Sequence, residues 1–297
     1  MDIKINKKKT ITPYFLITPI VVLSGLIIYY GVAFNFFVSF QKWNGISPDM
    51  KFIGFKNFID LFSGRVLYIA LRNNLIFLLF AVGIQAGLGL LIAVLLRTKP
   101  AFSGIFKSIF FFPVVMAPVV IASIFRIIMD PNLGSLNLIL KVLHLDFLAV
   151  SWLGDPRIAL FSIIIVNIFE WMGFSMIIYY AGLLTIPNEL YEAAKIDGSG
   201  FWTTLFKITI PMLRGSTTTL IVLGIVGSLK TFDIVVMLTG GGPGYSTEFM
   251  TTFLYKRALN EYNGGSAAAI GVIILILALI MSVIQIKYYN RQIKDIE

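Results

Sequence analysis

Apolar residues gather into six long runs, at 14–40, 73–96, 108–129, 159–183, 216–239 and 267–288, separated by stretches where charged and turn-forming residues concentrate. A helix needs about 20 apolar residues to cross roughly 30 Å of hydrocarbon. In lipid its backbone groups must be satisfied within the segment. The pattern therefore predicts an all-α polytopic membrane protein with six transmembrane helices. The first run follows Lys7-Lys8-Lys9, which resembles the basic start of a signal peptide. It is too long for one, and no small-x-small site ends it, so it reads as an anchor that stays.

The polar stretches set the organisation. The whole chain, 1–297, reads as one transmembrane domain: 1–67 as an anchor helix with an outer loop, and 68–290 as a five-helix core that includes the loop 184–215. Lys and Arg orient it. With the N-terminus inside, segments 1–13, 97–107, 184–215 and 289–297 together with Lys287 carry 13 basic residues, against 9 in the outer loops. That bias predicts cytoplasmic N- and C-termini. The outer loops hold an aromatic stretch at 52–58, a short helix near 136–145, Trp152-Leu153-Gly154-Asp155-Pro156, and a turn at Gly240-Gly241-Gly242-Pro243-Gly244.

Composition narrows the class. With 58% hydrophobic and 13% charged residues and a mean hydropathy of +0.88, a soluble domain of 297 residues could not hide its apolar surface. The net charge of +9 suits loops facing anionic membrane lipid better than a nucleic-acid partner, since no basic stripe interleaved with aromatics lies outside the apolar runs. The absence of cysteine removes disulfides, thiolate metal sites and thiol catalysis. His144 is the only histidine and is expected on a surface helix. No Gly-Lys dipeptide occurs, so no Walker loop binds ATP here, and no His-Glu-x-x-His or Gly-x-Ser-x-Gly motif is present. The chain is not read as an enzyme. Gln85, Gly87 and Gly89 suggest a small-residue packing face in the second run.

The loop 184–215 breaks the apolar pattern with a short polar helix. Pro187 suits a first helical turn, residues up to Asp197 favour helix, and Gly198 stands where a left-handed cap would stop it. Eleven residues span about 16 Å. Ala193 and Ala194 offer a low surface for close approach, and Glu192, Lys195 and Asp197 offer charge. A helix lying on the membrane normally carries bulky apolar residues and excess Lys/Arg, so docking to another protein is the better reading.

Glu192-Ala193-Ala194-x3-Gly198-x9-Ile208-x-Ile210-Pro211 resembles the loop motif of permease subunits of binding-protein-dependent ATP-binding-cassette importers, with Ile210 where Leu is usual. Three further stretches resemble the carbohydrate-uptake group, the last of them its maltose-type first permease: 152–156, 182–194, and Phe232-Asp233-x5-Thr239-Gly240-Gly241-Gly242-Pro243. The resemblance implies a coupling helix formed by Glu192, Ala193, Ala194, Asp197 and Gly198, with Pro211 closing the motif. It further implies a second, different permease, a cytoplasmic ATPase pair that holds ATP and Mg, an extracytoplasmic sugar-binding protein, and the cytoplasmic membrane of a prokaryote. No cofactor is expected in this chain. The extra spans and large outer domain of the enterobacterial maltose permease have no counterpart here.

A second constellation lies inside the bilayer. Glu170 sits halfway along the fourth run beside Trp171, and Ser228, Lys230, Thr231 and Asp233 follow along the fifth. Ionisable residues at such depth face a cavity or a partner. The resemblance places Asn167, Glu170, Trp171, Phe174, Gly224, Ser228 and Thr231 at a sugar-lining cavity, with Lys230 beside them. Two structural alternatives remain: Glu170 and Lys230 neutralise one another, or Lys230 and Asp233 form an i,i+3 pair. The function expected is carbohydrate import, of an oligosaccharide or glycoside. Another polar solute, such as a glycerol phosphate, and an ion-driven secondary transporter stand as rivals; the latter needs no docking helix and would show inverted repeats.

Overall fold

The computed structural model describes residues 12–98 and 103–294. Lys4, Lys7, Lys8, Lys9 and Lys99, which contribute to the expected charge bias, lie outside the described residues. Four helices are long and apolar enough to cross a membrane: Tyr14–Val38, Arg65–Thr98, Ala159–Leu184 and Gly264–Gln285. Two further helix pairs are long and apolar enough only when each is taken as one bent span, Ser103–Val115 with Pro118–Ile128 at 96°, and Phe201–Met212 with Arg214–Lys230 at 66°. The described residues thus offer four to six crossings against the six expected runs. Apart from a two-residue hairpin, Gln41–Lys42 with Lys51–Phe52, the described chain is helical.

The breaks correct the sequence reading. The expected span 108–129 is interrupted at Met116 and Ala117, where Pro118 opens the second helix at its first turn. Residues before proline avoid helical backbone, so the turn follows from the sequence once Pro118 is weighed. The expected span 216–239 ends early, at Lys230; its outer part forms a separate helix, Asp233–Leu238, packed on Pro118–Ile128. No proline marks this second break. Carbonyls freed there are satisfied by distant side chains: Asn74 Nδ2 donates to the Ser228 carbonyl at 3.0 Å, and Thr251 Oγ1 to that of Thr231 at 2.5 Å.

Helix contacts are close where small residues allow it. A Cβ on Gly173 would come within 2.0 Å of the Phe110 carbonyl, and one on Gly89 within 2.5 Å of the Ser175 Cβ. The fourth span therefore lies tight against both the second and the third. Gly89 and Gln85 do belong to that packing face, since Gln85 Nε2 donates to Ser175 Oγ at 2.8 Å. Gly87 does not: it is exposed, with nothing within 4 Å of its would-be Cβ.

The first span buries none of its apolar window, as befits a helix bathed in lipid, and meets the last span near its C-terminal end. There Asn35 Nδ2 donates to the Ala268 carbonyl at 3.2 Å. Before the fourth span, Trp152 Nε1 donates to Asn137 Oδ1 at 2.8 Å and Ser162 Oγ to the Trp152 carbonyl at 2.8 Å, which seats the Trp-Leu-Gly-Asp-Pro turn at the head of that span. His144 lies just past the helix Ser135–Val142 in a left-handed turn, φ 57, and not on the helix. The glycine run after the fifth span is a turn, with Gly240, Gly241 and Gly244 at positive φ. Gly241 also leaves room for a buried pair, because a Cβ there would collide with the Glu248 carboxylate and the Lys256 ammonium.

Candidate functional site

The fourth and fifth spans, facing the second, enclose a cavity of about 380 Å³. All eight positions singled out for it line the wall: Asn167, Glu170, Trp171 and Phe174 from the fourth span, with Gly224, Ser228, Lys230 and Thr231 from the fifth and its broken end. In Ala159–Leu184 the spacings 167, 170, 171 and 174 fall on one helical face. Helix geometry alone therefore brings the amide, the carboxylate and the two rings together. Trp171 and Phe174 meet edge to face at 6.1 Å, and Trp171 remains 38% exposed.

Neither ion pair weighed from the sequence forms. Among the described residues the salt bridges are Lys256–Glu248 and Arg257–Glu261; Glu170, Lys230 and Asp233 take part in none. Glu170 is only 2% exposed yet lines the cavity. Two other assignments change. Ser228 is buried and donates its hydroxyl to the Ile225 carbonyl at 2.8 Å, so that hydroxyl serves its own helix. Gly224 has a packing duty as well, because a Cβ there would meet Val82 methyls at 2.6 and 2.7 Å.

The wall holds groups that the sequence reading passed over. Phe77, Val82 and Gln85 come from the second span and Phe232 from the break in the fifth, where Asp233, already named from the sequence, joins them. Phe77 and Gln85 lie eight residues apart, a helical repeat that would have flagged them. Asn74 also escaped notice: it bonds the Ser228 carbonyl and accepts the Met250 N–H at 2.9 Å. Nothing local to Asn74 signals that role.

A second locus lies in the loop after the fourth span. The helix there is Asn188–Ile196, nine residues, with Pro187 as its N-cap and not in its first turn. Its end is a Schellman motif: Ser199 N–H bonds the Ala194 carbonyl at 2.9 Å, Gly198 N–H bonds that of Lys195 at 3.1 Å, and Gly198 sits at φ +74. Glu192, Ala193, Lys195, Asp197 and Gly198 are exposed. Ala194 is not: at 6% exposure it packs into the protein, so Ala193 alone of the pair offers a low surface. The helix also carries a bulky apolar tip, Ile196 at 86% exposure, which the sequence reading did not credit. Pro211 stands in Ile210–Met212, immediately before the 66° bend.

Two contacts tie this helix to the spans. Arg97, at the C-terminal end of the second span, stacks over the Tyr191 ring and donates to Asn188. Tyr191 Oη shares a hydrogen bond with Thr209 Oγ1 at 3.3 Å, which links it to the helix leading into the fifth span. That helix bears Phe201, Trp202 and Phe206, all exposed, with Phe201 edge-on to Trp202 and Trp202 stacked on Phe206. Such rings suit the membrane–water boundary.

Known proteins share this architecture. Residues 85–294 match the family described as "Binding-protein-dependent transport system inner membrane component". The probable ABC transporter permease protein YurN of Bacillus subtilis (strain 168) is 37% identical over 288 residues, covering 96% of this chain and 98% of YurN. The xylose/arabinose import permease protein XacH of Haloferax volcanii is 33% identical over 260 residues, covering 87% of this chain and 81% of XacH. A chain from a crystal structure of a bacterial alginate ABC transporter, in complex with its alginate pentasaccharide-bound periplasmic protein, superposes with a TM-score of 0.82 over 96% of both chains at 23% identity. Four to six apolar crossings among the described residues, a matched region spanning most of the length and relatives matched along nearly their whole length lead to one conclusion: the chain is a member of the binding-protein-dependent transport system inner membrane component family, a multi-pass permease subunit of an ABC importer.

Proposed function

We propose that this permease carries a carbohydrate, an oligosaccharide or glycoside, into the cell as one half of a heterodimeric channel. The observation that carries the reading is the convergence of Asn167, Glu170, Trp171 and Phe174 with the broken end of the fifth span on one cavity. An indole or phenyl ring packs on the apolar face of a pyranose, while amide and carboxylate groups take its hydroxyls. Two similarities support the choice of solute: XacH is named for xylose and arabinose import, and the alginate transporter is seen with an oligosaccharide-loaded periplasmic protein.

The remaining parts follow from the permease family. The helix Asn188–Ile196 is the coupling helix on the cytoplasmic side, and both termini are cytoplasmic. ATP and Mg belong to a partner ATPase dimer, and this chain holds no cofactor of its own. ATP binding closes that dimer, the coupling helices of the two permeases move together, and the cavity turns outward to receive sugar from the binding protein. A rigid helix end-capped by Gly198 can pass on such rigid-body motion.

Reconstitution tests the proposal. Proteoliposomes holding this chain, its companion permease and the ATPase should accumulate a sugar from a panel only with internal ATP and external binding protein. Uptake by this chain without an ATPase, or failure of every carbohydrate while another solute enters, would overturn it.

A further inference from the structure

Glu170 is 2% exposed and has neither a hydrogen bond nor an ion pair among the described residues. It nevertheless lines the cavity wall. Leaving a buried carboxylate unpaired is costly, and neutral hydroxyls do not call for it, since amides and hydroxyls bind them as well. Asp233 lines the same cavity, so two acids of like sign face it. Lys230 does not relieve them. It forms no ion pair, and it opens onto a neighbouring crevice beside Gly31, Asn35 and Gly271 as well.

Beside the two carboxylates stand the rings of Trp171, Phe174, Phe77 and Phe232. Aromatic faces attract cations as well as sugar rings, most strongly where water is excluded. Acid and aromatic groups converging on one cavity, with no internal cation paired to either acid, make a receptor for a positive charge.

Resting on the carbohydrate reading above, we infer that the transported sugar carries a protonated amine, as an amino sugar or an amine-linked glycoside does, and that Glu170 and Asp233 hold it. Glu170 supplies the charge that the ammonium meets inside the cavity, and Asp233 meets it at the broken end of the fifth span. Trp171 and Phe174 bracket the adjoining ring. An all-hydroxyl sugar of the same shape can hydrogen-bond the carboxylates but brings them no countercharge, and is moved more slowly.

The test uses the complete importer in proteoliposomes with two isosteric probes: a β-linked glucosamine–glucose disaccharide and the all-hydroxyl disaccharide of the same linkage. The wild type should take up the amine faster. Losing one partner of a buried charge pair should slow amine uptake in Glu170→Gln by about tenfold or more, and slow all-hydroxyl uptake several-fold less, so that the wild-type preference for the amine is lost. Asp233→Asn, at an exposed position and so safe for folding, should show a smaller loss of the same kind. Equal losses for both probes in Glu170→Gln, or faster wild-type uptake of the all-hydroxyl probe, would overturn the inference and leave carbohydrate import standing. Exclusion of every sugar while a non-sugar solute is imported would remove both.

Discussion

The guanidinium of Arg97 lies 4.2 Å above the ring of Tyr191, and the same group donates to Asn188 Oδ1 at 3.0 Å. This joins the C-terminal end of the second span, which carries Phe77, Val82 and Gln85 to the cavity wall, to the helix proposed above to dock on the ATPase. Under that proposal a displacement of Asn188–Ile196 would reach the cavity wall through a stacked, hydrogen-bonded contact. Tyr191, hydrogen-bonded to Thr209, would carry the same displacement to the fifth span.

Arg97→Ala should loosen that link. A cation–π contact and a charged hydrogen bond together contribute about 1–3 kcal/mol, so ATP hydrolysis should continue while sugar moved per ATP falls several-fold. Arg97→Lys should restore little, because an ammonium lacks the planar fork that both stacks and donates. An unchanged ratio of transport to hydrolysis in Arg97→Ala would count against the linkage.

Gly198→Pro should abolish uptake while the protein still inserts. Proline holds φ near −65° and has no N–H, whereas Gly198 needs φ +74 and donates to the Lys195 carbonyl at 3.1 Å. Glu192→Lys reverses an exposed charge on the same helix and should weaken ATPase binding without altering the fold. Co-purification of the ATPase with each variant measures this; normal recovery with normal uptake sinks the coupling assignment.

Gly173→Ala should destabilise the protein. A methyl group there comes within 2.0 Å of the Phe110 carbonyl, and backbone cannot move aside as a flexible side chain can. Overpacking of this kind costs about 1–3 kcal/mol. The variant should lose its folded form in detergent at a lower temperature, whereas Gly87→Ala, facing open space, should not. Thermal unfolding of the two side by side decides it.

Trp171→Ala and Asn167→Ala should lower uptake or change sugar preference with assembly intact. Truncating a ring that stacks on a sugar removes about 1–3 kcal/mol of contact, which reads as a roughly tenfold or greater rise in the concentration for half-maximal transport. Transport untouched in both variants would place the sugar elsewhere.

Much of the architecture was legible because it depends on neighbours in sequence. Hydrophobic run length gave the fourth span as 159–183, and the helix runs Ala159–Leu184. The glycine cap at 198 and the glycine turn after the fifth span were likewise readable from residue type, since few residues other than glycine adopt positive φ without strain. Pro118 carried a signal for the third-span break that hydropathy alone conceals. Cavity positions on the fourth span were accessible too, because a spacing of three and four residues shares a helix face.

By itself, then, the sequence determined which segments are helical and apolar, where a capped helix interrupts them, and which side chains of one helix point the same way. Tertiary structure alone decided that the fifth span stops at Lys230, since its freed carbonyls are met by Asn74 and Thr251, the former 154 positions away from Ser228. It decided too that Ala194 turns inward, that Ser228 spends its hydroxyl on its own helix, and that Glu170 forms no ion pair with Lys230. The physical reason is range. Periodicity and capping act within a few residues, whereas a broken helix or an unpaired charge is settled by groups that only the folded chain brings within bonding distance.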